Sequence, residues 1–304
     1  MKKIILLSFV FFFSVVALLV SCKQSEANKN KETILRGKTT LLVDETVKPL
    51  IEDQIAVFES TYKATIVLEP RSEKEAIQAF LKDTSRIVVL SRELNADEAK
   101  VFERLKIKPR TTKIATDAIA LILNKKDLDT LVAMKDIVAF LKGSTQTKIK
   151  GLVFDNPNSS TVRYMTTLAG VKEVPQKGVY SFKSNEEVVK FVAENEGMIG
   201  VVGVNWLLQP TQNIKNYLTN INVLSVQGLN KNSYFAPTQN NLAEGTYPLA
   251  RDLFIINCQG YSGLGMGFAS FLAGEIGQRI VLKSGMLPTT MPGRKILIKN
   301  KQDQ

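Results

Sequence analysis

The chain contains no histidine, and that absence narrows its chemistry before any motif is considered. A Ser or Cys nucleophile loses its usual general base, and the commonest zinc ligand is missing. Carboxylate-only hydrolysis of the glycosidase or phosphatase kind stays open, with Asp44, Glu45 and Asp155 as its candidates. Cysteine is nearly absent too: there are two, Cys22 and Cys258. A disulfide framework is therefore excluded, and a body of about 270 residues must rely on its core as one large or two smaller domains. Beyond Val20 no apolar run is long enough to span a bilayer. The lysines are scattered and no aromatic-rich basic patch accompanies them, so the net charge of +11 does not point to nucleic acid. GLGMG at 263–267 lacks the strand context of a nucleotide-binding loop and reads as a helix entry. The single tryptophan, Trp206, reads as packing.

The N-terminus carries the plainest signal. Lys2 and Lys3 precede an apolar stretch from Ile4 to Val20, followed by Leu19-Val20-Ser21-Cys22. A basic start, an apolar core and a small residue before the cleavage point describe an export signal over 1–21. The placement of Cys22 resembles a bacterial lipoprotein signal, in which that cysteine is lipidated and becomes the mature N-terminus. An uncleaved anchor is the competing reading, and either one puts the body outside the cytoplasm on a membrane tether. Loss of Lys2 and Lys3 with the signal leaves +9. Residues 22–36 are polar, with little to bury, and read as a flexible tether.

From there, strands and helices alternate. TTLLV (39–43) reads as a buried strand, and Pro49 opens a helix whose Ile51, Ile55, Phe58 and Tyr62 share one face. Strands are expected at 64–68, 86–90, 117–124, 151–154, 198–204 and 247–257. Helices are expected at 73–82, 95–104, 134–142 and 184–197, with Asn95 and Ser184 as caps and Glu187 closing a capping box on Ser184. GFASFLAGEIGQRIVLKSG (267–285) reads as one amphipathic helix, and 208–245 as irregular. The alternation defines an α/β body with a largely parallel sheet.

Hydroxyl residues gather at three strand-to-helix junctions: Thr46, Ser91, and Ser159 with Ser160 and Thr161. In open α/β sheets ligands sit beyond the carboxyl ends of strands, and helix N-termini favour anions. The same residues also suit simple helix capping, Arg92 also suits a surface ion pair with Glu93 or Asp97, and Asp155 suits a backbone acceptor at its own turn.

In order along the chain come VDETVKPLIEDQIAVFE, IVVLSRELNADE, ATDAIALILNKKD, MKDIVAFLKG, NSSTVRYM, EGMIGVVGVNW, TYPLARDLFIIN and EIGQRIVLKSGMLP. This series resembles the phosphate-binding component of ABC transporters, in the type II periplasmic binding protein superfamily. The resemblance implies a two-lobed α/β fold with two crossover strands, near 115–124 and 246–256, and a ligand cleft between the lobes. Lobe one would be 37–118 plus 249–304, and lobe two 119–248. It implies a monomer that binds phosphate or a related oxyanion, catalyses nothing, needs no cofactor or metal, and serves a membrane permease and an ATPase from the periplasmic side. A sensor or scaffold lipoprotein with the same fold is the further alternative. The ligand-binding residues carried over are Thr46 with Val47, Ser91 with Arg92, and Ser159, Ser160 and Thr161, which match the family's Ser-Gly-Thr. Many members place an Arg four residues before that Ser and an Asp two residues after the Arg. Here those positions hold Asp155 and Pro157, with Arg92 and Arg163 as the nearest cationic substitutes.

Overall fold

The computed structural model describes residues 32–82 and 85–293. The signal segment, Cys22 and most of the tether lie outside the described residues. The chain enters through β1 (Arg36–Asp44), a single tight turn (Glu45–Val47) and α1 (Lys48–Thr61), then β2 (Lys63–Arg71), α2 (Glu73–Leu81), β3 (Ile87–Leu90) and α3 (Ala96–Arg104). The 15-residue β4 (Arg110–Asn124) leads to β5 (Leu131–Ala133), α4 (Met134–Leu141), β6 (Leu152–Phe154) and α5 (Ser160–Ala169). Next come β7 (Val179–Ser181), α6 (Asn185–Glu194), β8 (Ile199–Gly203), α7 (Val204–Leu208), β9 (Ile221–Val223), β10 (Ser225–Gln227), β11 (Tyr234–Phe235) and α8 (Gln239–Ala243). The chain returns through β12 (Ala250–Asn257), α9 (Leu264–Ala273), α10 (Glu275–Lys283) and β13 (Leu287–Pro288).

Ten strands form one continuous sheet in the order β2-β1-β3-β12-β4-β8-β6-β7, with β9 and β13 also pairing β4. β4 holds it together. Its N-terminal part runs antiparallel to β12, from Asn257 opposite Arg110 to Ala250 opposite Ala118. Its C-terminal part pairs β8 from Ile119 to Ile122, then β9. One strand thus serves two halves of the sheet, each a parallel α/β layer: β2-β1-β3 on one side and β8-β6-β7 on the other.

Burial on both faces explains the apolar runs. Along β1, Leu41 and Val43 point into the core under α1, α9 and α10, while Leu42 points to a second cluster with Phe80, Val88, Leu90 and Phe102 under α2 and α3. Phe58 of α1 packs edge-on against Phe268 and Phe271 of α9, with ring centres 5.3 Å apart in both pairs. The caps behave as their residue types dictate. Asn95 accepts from Glu98 N and Ser184 from Glu187 N. The Glu187 carboxylate, however, reaches the N–H of Lys183 rather than that of Ser184.

Three expectations change. The sheet is mixed rather than largely parallel, because β12 and β4 run antiparallel to each other and β12 to β3, and β8, β9 and β13 run antiparallel to β4. The segment 267–285 is two helices, because Gly274 is extended (ψ 172°) and both ends one helix and starts the next. Gly277 allows the tight corner: a Cβ there would lie 2.3 Å from the Phe271 carbonyl oxygen. The stretch 208–245 is not structureless, since it supplies β9, β10, β11 and α8; β10 lies between β5 and β11 in a small second sheet. Near the entry, the Glu32 carboxylate accepts from Leu264 N at the head of α9 (2.7 Å), and Ile34 passes so close to Gly267 that a Cβ there would clash with its carbonyl.

Candidate functional site

The carboxyl ends of β1 and β3 lie side by side, and the hydroxyl-bearing junctions that follow them meet the one that follows β6 along the line where the two halves of the sheet oppose. Thr46, Ser159, Ser160 and Thr161 are all buried, and Ser91 is 6% exposed. The first contact between the halves is Thr46 Oγ1 with Ser160 Oγ, 3.1 Å apart. Val47 sits fully in the core, so only its backbone is available for a ligand.

Ser159 is the N-cap of α5 and accepts from Val162 N. Asp155, at the end of β6, receives the hydroxyl of Ser159 and that of Thr161 on the same oxygen, Oδ1, each at 2.6 Å. Its other oxygen accepts from Asn185 Nδ2 at 3.0 Å. Asp155 is therefore an acceptor for side-chain donors, not for the backbone of its own turn. The same Asn185 amide reaches across to Glu45 Oε2 at 2.8 Å, and its oxygen is fixed by the N–H of Gly203. Burial is the main force on these carboxyls. It lifts Glu45 to about 8, with help from the charge of Asp155, and lifts Asp155 to about 6 against the pull of its hydroxyl donors. Burial also raises Asp44, although Arg251 pulls the other way.

Arg251 escaped the sequence reading. It lies on β12, is 5% exposed, and forms a buried ion pair with Asp117 of β4 through Nε (3.1 Å) and Nη2 (2.9 Å). Its Nη1 donates to Ser160 Oγ at 2.8 Å. Burial works against its charge, and Asp117 and Asp44 more than restore it. A chain of polar contacts therefore runs from Arg251 to Ser160, to Thr46 and on to Asp44, which accepts from both the N–H and the hydroxyl of Thr46.

Glu73, at the head of α2, organises the third junction. It accepts from Ser91 Oγ (3.2 Å), from Arg92 Nε (3.0 Å), and from Arg163 of α5 through Nε (2.5 Å) and Nη2 (3.0 Å). Arg163 also donates to Ser91 Oγ. The guanidinium of Arg92 is completed by Glu98, at 2.7 and 2.9 Å, and by the Glu93 carbonyl. Its ion-pair partners are thus Glu73 and Glu98, while Glu93 contributes only its backbone carbonyl and Asp97 instead pairs Lys100. Glu73 gave no sequence signal beyond favourable charge at a helix start.

Three further features close the interface. Asn205 Nδ2 and Trp206 Nε1 both donate to the Thr46 carbonyl, at 3.0 and 2.9 Å, so Trp206 packs and also bridges. Lys74 N donates to Asn158 O. Gly203 meets the Thr46 carbonyl so closely that a Cβ would stand 2.8 Å from it. A cavity of about 170 Å³ opens beside these groups, bordered by Asp44, Glu45, Asp155 and Ser159, with Arg71 and Lys183 at its rim. Ser159, at the α5 N-terminus, opens to this chamber together with the carboxyls of Asp44, Glu45, Glu75 and Asp155, while the guanidinium groups of Arg251 and Arg163 are turned to Asp117, Ser160, Glu73 and Ser91. Hydroxyl donors at a helix N-terminus suit an oxyanion. Among the described residues no group of three His, Cys, Asp or Glu side chains is placed to hold a metal ion, and no helix is long and apolar enough to cross a membrane.

Fold and site together define a two-lobed α/β binding protein with a polar cleft between its lobes. Residues 28–275 match the family model of the PBP superfamily domain, and the chain belongs to that superfamily of periplasmic binding proteins. Among solved structures, it is similar to a putative phosphate ABC transporter substrate-binding protein with bound phosphate from Clostridium perfringens. That pair shares 18% identity at a TM-score of 0.68, over 84% of this chain and 100% of that one. An ABC-type phosphate transport receptor from Vibrio cholerae shares 18% identity at a TM-score of 0.61, over 83% and 100%. An OxyR2 regulatory domain from Vibrio vulnificus shares 10% identity at a TM-score of 0.53, over 78% and 96%. No curated protein matches the chain.

Proposed function

We propose that this protein is the extracytoplasmic solute-binding component of an ABC importer and takes phosphate or a related oxyanion between its lobes. Lobe one is 37–118 with 249–304, and lobe two is 119–248. The ligand is held by Thr46, the Val47 backbone, Ser91, Arg92, Ser159, Ser160 and Thr161, with Arg251 and Arg163 supplying charge. The mature chain begins at a lipidated Cys22, works as a monomer and hands its ligand to a permease driven by an ATPase, with no chemistry of its own.

The observation that carries this reading is the convergence of the Ser159 and Thr161 hydroxyls, each at 2.6 Å, on one carboxylate oxygen. Two donors from one helix N-terminus aimed at a single oxygen are the donor set an oxyanion oxygen takes, once the Asp155 carboxylate gives them up. The proteins from Clostridium perfringens and Vibrio cholerae, described as phosphate-binding and phosphate-transporting, support the choice of phosphate. Calorimetric titration of the mature chain with phosphate is expected to give one site. The paired change Ser159→Ala and Thr161→Ala is expected to weaken it at least about 100-fold, two charge-assisted hydrogen bonds being worth about 3 kcal/mol together. Unchanged affinity in the pair rejects the site, and turnover of phosphoesters by the wild type rejects the non-catalytic role.

A further inference from the structure

We propose that anion binding in this cleft is proton-linked through Asp155, whose carboxylate holds the hydroxyl donors an entering oxyanion needs and releases them by taking up a proton from solvent. The inference rests on the oxyanion reading above and adds what controls it.

Proton counting carries the argument. A Ser or Thr hydroxyl has one proton to give. Ser159 and Thr161 each lie 2.6 Å from Asp155 Oδ1 and 2.8 Å from each other, so their two protons are spent within this triangle. While Asp155 is ionised, neither hydroxyl can also donate to a ligand. Once Asp155 carries a proton it needs neither donor, its own O–H becomes a donor, and both hydroxyls can turn toward the anion.

The surroundings favour that proton. Asp155 is 1% exposed, and the Asn185 amide on its other oxygen is shared with Glu45, a second buried acid across the interface. Asp44 faces it from the end of β1 and adds like charge, while Arg251 on β12 opposes that effect. Arg71, Glu75 and Lys183, from β2, α2 and the approach to α6, line the same chamber, and the hydrogen bonds to the Asp155 carboxylate come from Ser159, Thr161 and Asn185. An ionised Asp155 beside a bound anion would put two like charges next to buried Asp44 and Glu45, so anion and proton enter together. Its raised value of about 6 puts the transition inside the range of the titration below.

The test compares wild type with Asp155→Asn, which keeps the shape and mimics the protonated acid. Phosphate affinity is measured by calorimetry from about pH 5.5 to 8.5. Wild-type affinity is expected to fall about tenfold per pH unit above 6, beyond whatever slope the variant shows. Phosphate's own ionisation is common to both proteins, so the difference in slope isolates Asp155. The variant is expected to bind about 100-fold more tightly than wild type near pH 8, two units above the transition. Equal slopes overturn the proposal and leave the oxyanion reading standing. Failure of both proteins to bind phosphate at every pH refutes the oxyanion reading and this inference with it. Difference infrared spectra of the wild type need no variant: adding phosphate at about pH 7.5 should create a protonated-carboxyl band, and its absence overturns the proposal.

Discussion

Glu73→Gln is the sharpest test of how the halves are held together. Glu73 is 3% exposed and accepts from two arginines and a serine. The change keeps volume and removes charge. Arg92 loses little, because Glu98 holds it through two further bonds at 2.7 and 2.9 Å. The cost therefore falls on the Arg163 arm, which joins α5 to α2 through contacts of 2.5 and 3.0 Å. A hydrogen bond to a charged group contributes about 1.5–3 kcal/mol, and an exposed pair about 0–1. Since the Arg163 side chain is 34% exposed, about 2 kcal/mol is a fair value for the arm. That shifts an open–closed equilibrium about 30-fold toward open. The assay is built in: Trp206 is the only tryptophan, is 1% exposed, and donates to the Thr46 carbonyl across the interface. Opening exposes it, so its emission should shift to the red and the radius of gyration from small-angle scattering should rise. Arg163→Gln should do the same, and the double variant should add little to either single change. Unaltered emission and scattering in a folded Glu73→Gln protein, or fully additive effects, would refute the latch.

Other outcomes follow from the buried charges. Arg251→Leu leaves Asp117 unpaired at 0% exposure, at a cost of about 3–5 kcal/mol and a loss on the order of 10 °C in Tm by scanning calorimetry. Glu45 is raised from its ordinary 4.5 to about 8, so the folded state holds a proton that the unfolded chain has lost. Its favourable effect is complete below about pH 4.5 and fades as pH rises through 8. Urea midpoints should decline over that window in wild type, and Glu45→Gln should flatten the decline; parallel curves would exclude Glu45 as the cause.

The fold was legible because its signals are local. Pro49 at a helix start, Asn95 and Ser184 as caps, and apolar strands buried on both faces each follow from neighbouring residues. The site was legible in part for the same reason, since Ser159, Ser160 and Thr161 share one helix head. The trio of Asp155, Ser159 and Thr161 could have been found, as a carboxylate just before an N-cap lies within reach of hydroxyls in the first turn. Arg251 could not. In YPLARDLFIIN nothing marks an arginine that faces a buried aspartate 134 residues away. Glu73 and Arg163 are 90 residues apart, and each alone looks like ordinary helix-surface charge. The break at Gly274 was hidden because the apolar spacing continues on both sides of it.

Gly203 gives the cleft a property that no donor or charge accounts for. A Cβ on Gly203 would stand 2.8 Å from the Thr46 carbonyl oxygen, inside ordinary contact distance. The distance at which the halves come to rest is thus gauged by a missing carbon. A side chain introduced there acts as a spacer, graded by its size, that holds the jaws apart while every hydroxyl and arginine keeps its identity. Grip strength and grip chemistry are set at different residues, so this cleft can be retuned for how tightly it shuts without being retuned for what it holds.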